Sequence, residues 1–116
     1  MNRMNDRFKY LSKDDIAWMS KEEIIQRILS LMEHYTMQLK LFNDAYQMMK
    51  LYLEGQKSVH EARMLALSIH KMARMNPDSH QRLLYRAWGH AVASIHVKTH
   101  MIPMLNYLKK YHETKE

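Results

Sequence analysis

The stretch LLYRAWGHAVASIHVKTHMIPMLNYL, Leu83 to Leu108, decides how the rest of the chain is read. Leu84, Ala87, Trp88, Ala91 and Ile95 recur at steps of three and four, the spacing of one apolar helix face, with Arg82 and Arg86 on another. Gly89 falls mid-helix, where glycine costs roughly 1 kcal/mol relative to alanine, so close contact with a neighbouring helix is expected to offset it. After Ile95 the run His96-Val97-Lys98-Thr99-His100 breaks the pattern, and Pro103 cannot donate to a preceding turn. A kink or fresh helix start is expected near residues 96–100. Met101, Met104, Leu105, Leu108 and Tyr111 then supply the buried face of a last helix.

Working back from this stretch, Asn76-Pro77 marks a helix end, since proline pushes the preceding residue out of the α region and asparagine tolerates a left-handed cap. Asp78 or Ser79 can cap the helix that follows. The helix that ends there starts at the capping box Ser58-Val59-His60-Glu61 and has an apolar stripe of Ala62, Leu65, Ala66, Ile69, Met72 and Ala73. Before it, Leu39, Phe42, Tyr46, Met49 and Leu53 form a seam that Gly55 ends at the position of a left-handed C-cap. Thr36 to Gln38 reads as a brief connection. Two further capping boxes, Ser12 to Asp15 and Ser20 to Glu23, predict a short first helix and a longer second one with Ile24, Ile28, Leu31, Met32 and Tyr35 inward. Residues 1–11 show no period and read as a flexible arm, leaving 12–116 as one helical domain. The fold class is all-α, a single compact bundle of five or six helices.

Composition agrees and narrows the function. A chain of 116 residues can bury one core without staples, and with no cysteine it has no disulfide or thiolate chemistry. The first ten residues, MNRMNDRFKY, carry no apolar run of the kind a secretion signal needs, and no stretch approaches the ~20 apolar residues of a membrane span. A cytoplasmic protein that does not enter membranes is expected. The net charge of +6 is uneven: residues 1–61 hold nine basic and nine acidic residues, whereas residues 62–110 hold eight basic residues against Asp78 alone. That half should attract an anionic partner.

Three blocks resemble the immunity proteins of bacterial polymorphic-toxin systems, over residues from about Leu39 to Lys110. They are EGQKSVHEAR (Glu54 to Arg63), ALSIHKMAR (Ala66 to Arg74, around His70) and RAWGHAVASIHVKTH (Arg86 to His100). In the third, Gly89, His90, His96, Val97 and His100 match the motif G-H-A-V-A-x-x-H-V-x-x-H position by position. Trp88 and the bulky Tyr, Met and Leu residues depart from a family that is often alanine-rich. The resemblance implies a small helical protein that binds and neutralises a cognate toxin by occlusion, without catalysis or cofactor.

The residues themselves leave other chemistry to weigh. His96 and His100, at i and i+4, could share a metal with His90 or His70 as a third ligand, but no acid lies near them, and structural histidines are the expectation. Ser94 near His90 lacks an acid to orient a nucleophilic pair, so no enzyme is expected. The rival is a small basic nucleic-acid-binding protein, with Arg63, Lys71, Arg74, Arg82 and Arg86 on phosphates and Tyr85, Trp88 or Tyr107 stacking on bases. The same basic face would equally steer a toxin's acidic surface. Of twelve methionines, Met32, Met49, Met72 and Met104 read as core; Met37, Met48, Met64 and Met75 lie off the stripes and suit a partner-binding face.

Overall fold

Three helices open on the same device. Ser12, Ser20 and Ser58 each accept from the backbone N–H three residues on, at 3.1 Å, while Asp15, Glu23 and Glu61 reach back to the serine N–H at 2.8–3.0 Å. Two otherwise orphaned donors are satisfied at each start, and the acids sit where the helix dipole favours them. In the computed structural model, which describes residues 12–35 and 39–114, these boxes open α1 (Lys13–Trp18), α2 (Lys21–Met32) and α4 (Val59–Met75). Leu39, without a side-chain cap bond, precedes α3 (Lys40–Leu53). Asp78 accepts from the His80 and Gln81 N–H groups to start α5 (Ser79–Ala93), and a 3-10 turn (Lys98–His100) leads into α6 (Met101–Glu113). The expected arm over residues 1–11 and the connection over 36–38 lie outside the described residues.

The helix ends follow equally local chemistry. Gly55 has φ +78°, and the Gln56 N–H to Leu51 O bond (2.8 Å) with the Gly55 N–H to Tyr52 O bond (3.0 Å) completes a Schellman cap on α3. Asn76 ends α4 differently from expectation: its backbone is extended, not left-handed, because the following proline excludes the helical region and favours β. The break after α5 falls at residues 94–97, with Val97 extended before the 3-10 turn. Pro103 stands third in α6, in the first turn, where a missing N–H removes little.

α5 is the hub of this all-α bundle, which has six α-helices among the described residues, and it packs on α3, α4 and α6. Its alanines Ala87 and Ala91, with Ala62, Ala66 and Ala73 of α4, are buried and let the α4 and α5 backbones come close. Trp88 is wholly buried at the centre, with Tyr35 and Phe42 edge-on to it at centroid distances of 5.1 and 5.2 Å. Around it lie Ile24, Ile28, Met32, Met49, Ile69, Leu84, Ile95, Met104 and Leu108. Two methionines differ from expectation. Met72 lies at the open edge of the α4 stripe and is 44% exposed, while Met48 is half-buried against the core.

Long polar ties close the bundle. The Lys98 ammonium donates to Ala17 O (3.1 Å) and Met19 O (2.6 Å), at the C-terminal end of α1, where a cation complements the dipole. His80 Nε2 meets Tyr111 O at 2.8 Å with the two rings stacked, joining the start of α5 to the end of α6. His112 pairs with the Tyr35 hydroxyl at 2.7 Å, and burial pushes that phenol up to about 12.

Candidate functional site: a histidine cluster between three helices

Three of the four motif histidines converge where α4, α5 and the 3-10 turn meet. His70 projects from α4, His90 from α5, and His100 ends the turn. The His90 ring stacks near-parallel on His100 (5.1 Å, 24°) and on Tyr107 of α6 (5.6 Å, 12°), and meets His70 edge-on at 4.7 Å. His90 Nδ1 and His100 Nδ1 stand 2.9 Å apart. Such a bond needs one nitrogen to carry a proton and the other a lone pair, so at most one of the two rings is charged. Two imidazolium rings would set donor against donor.

Electrostatics reinforce neutrality. Burial, then the charges of His70, His100 and Arg86, push His90 down to about 4. Burial first, then Arg86, His100 and Arg74, lowers His70; burial and then His96 lower His100. No carboxylate is among these causes. The Ser94 hydroxyl donates to Ala91 O at 2.6 Å and is fully buried, engaged with backbone rather than with His90. Among the described residues, no group of three or more His, Cys, Asp or Glu side chains is arranged to hold a metal ion.

Gly89 owes its place to this cluster. A Cβ there would lie 2.8 Å from His70 Cε1 and 2.9 Å from its Nε2, so the His70 ring rests directly on the α5 backbone. The close approach expected at Gly89 is real, and its agent is a side chain. Gly89→Leu is expected to lower stability by about 1–3 kcal/mol through overpacking, with a smaller penalty in a His70→Ala background. Urea unfolding of the two single variants and the double variant measures the coupling. Additive effects would show that the ring does not set the requirement for glycine.

A family model described as "Imm-5 like putative immunity protein" matches residues 16–116. The chain belongs to the Imm-5-like immunity family. No curated protein and no solved structure matches it. The match begins at Ile16, the buried residue of α1, and so takes in more of the chain than the three blocks from Leu39 to Lys110. In this Imm-5-like protein the motif residues divide by position: His70, Gly89, His90 and His100 meet, whereas His96 lies within the break and is exposed, acting on His100 through charge alone. On a continuous helix His96 and His100 would share a face; the chain breaks at residues 94–97, as the sequence led one to expect, and His100 pairs with His90.

The basic residues also divide. Arg63, Lys71 and Arg74 are exposed along α4. Arg82 donates to Asn76 O at 2.6 Å and ties down the loop between α4 and α5, and Arg86 is half-buried near the histidines. Trp88, considered for base stacking, is removed from solvent altogether. Tyr107 was visible in sequence only as an aromatic; its role under His90 had no local signal, nor did the His80–Tyr111 and Tyr35–His112 ties.

Proposed function

We propose that this Imm-5-like protein binds and neutralises a cognate toxin in the cytoplasm by steric occlusion, without turnover. The family match over residues 16–116 carries the reading. Supporting it, the histidine cluster is a neutral, half-buried packing element, and no helix among the described residues is long and apolar enough to cross a membrane. The exposed cations of α4 would steer association with an acidic toxin surface, an effect on rate that weakens as salt rises.

Two assays on one preparation test this reading. Co-expression with the product of the neighbouring gene should restore growth that the product alone suppresses. The purified protein should show no appreciable RNA or DNA affinity at physiological salt. Failure to protect against or bind that product, together with tight nucleic-acid binding that falls steeply with salt, would favour the nucleic-acid reading instead.

A further inference from the structure

α4 wears its residues inside out. The face turned to α5 is small, Ala62, Ala66, Ile69 and Ala73, while Met64, Leu67 and Met75 face outward and Met72 lies at the edge. Positions 64, 67, 71 and 75 fall on one side of a helix, so Met64, Leu67 and Met75 share an outward row with Lys71 between the last two and Arg63 and Arg74 beside it. Single exposed apolar side chains are ordinary, but a row on one helix face marks an interaction surface. Flexible methionines adapt to a partner's contours.

Resting on the immunity reading, we infer that this outer face of α4 is the toxin-docking surface, and that its occupant is a protein patch with an apolar centre and carboxylates around it. Charge argues against the nearest alternative. A second copy docked across a twofold axis would bring the Arg63, Lys71 and Arg74 groups of two identical faces together. The one acid of α4, Glu61, cannot offset them, because it caps Ser58 and pairs with Lys57 at 3.5 Å. Nucleic acid would answer the cations but leave Met64, Leu67 and Met75 without apolar contact. A protein surface of complementary charge satisfies both.

The probe is the neighbouring gene's product, with binding measured by titration and protection by co-expression. Leu67→Asp should weaken binding by about thirtyfold or more, the size of a central interface residue. Lys71→Glu/Arg74→Glu should slow association and flatten its salt dependence. Trp18→Ser, which alters an exposed aromatic 89% accessible on α1, should bind as the parent does. All four positions are exposed, so melting temperatures should stay close to the parent's and separate binding loss from unfolding.

If the parent protects and binds but Leu67→Asp and Lys71→Glu/Arg74→Glu do so equally well, the α4 assignment fails and the immunity reading stands. If the parent neither protects nor binds, the immunity reading fails and this inference falls with it. A parent that sediments as a dimer, with Leu67→Asp monomeric, would assign the face to a second copy and overturn the inference.

Discussion

Trp88→Ala is expected to lower the free energy of unfolding by about 3–5 kcal/mol, a large part of the roughly 5–15 kcal/mol that holds a domain of this size together. The indole is fully buried on the hub helix, and Tyr35 of the α2 end and Phe42 of α3 both meet it edge-on. Removing it opens a cavity that three separate elements line, and their rigid rings cannot collapse into it. Trp88→Phe should cost much less. The indole N–H is buried without an acceptor among the described residues, so phenylalanine discards a donor that was unpaired. Chemical denaturation of both variants checks this. Equal losses would mean that the N–H makes an interaction beyond these contacts.

Acidification from about pH 6.5 to pH 4 is expected to destabilise the protein through the histidine cluster. His70, His90 and His100 all titrate below the ordinary histidine value in the folded state, His90 down to about 4. Above 6.5 the rings are neutral whether folded or unfolded and contribute nothing to the slope. As the pH falls through 6.5 the unfolded chain takes up protons that the folded cluster refuses, so stability falls. For His90 the loss levels off near pH 4, and after allowance for solvent screening at a half-buried ring it is on the order of 1–2 kcal/mol. The groups that face the cluster are Arg74 of α4, Arg86 of α5, His96 before the 3-10 turn and Tyr107 of α6, and none supplies a negative charge at these pH values. The capping acids Glu23 and Glu61 are held below the usual carboxylate range by their serine partners. Their contribution is present above about 4.5 and lost as pH falls through their folded values. Urea midpoints measured across this range should fall less steeply for His90→Gln than for the parent. Identical slopes would remove His90 as a source of the acid sensitivity.

The sequence revealed the features that depend on near neighbours. Each capping box needs only a serine and an acid three residues later, and Gly55 and Asn76-Pro77 act within a turn of themselves. Even the break before His100 follows from local loss of apolar period. The histidine cluster needed more. His90 and His100 are ten residues apart across a turn whose direction no local rule gives, and His70 reaches Gly89 only because the alanines of α4 and α5 let those helices close. Met72 shows the same limit from the other side. Its position on the stripe was read correctly, but burial also requires a neighbouring helix at that edge. The exposed stripe of α4 was half legible: Met64 and Met75 fell off the core pattern, while Leu67 was not singled out.

The Lys98 tie has a consequence for the order of events during synthesis. A helix of six residues such as α1 is too short to hold in water by itself. Its C-terminal carbonyls are secured by an ammonium 81 residues further along the chain. At about 5–20 residues per second, roughly 4–16 seconds separate the emergence of the carbonyl from that of its partner. Through that interval these carbonyls lack the ammonium that secures them, so the earliest of the described helices is fastened only after the chain has been made as far as the 3-10 turn.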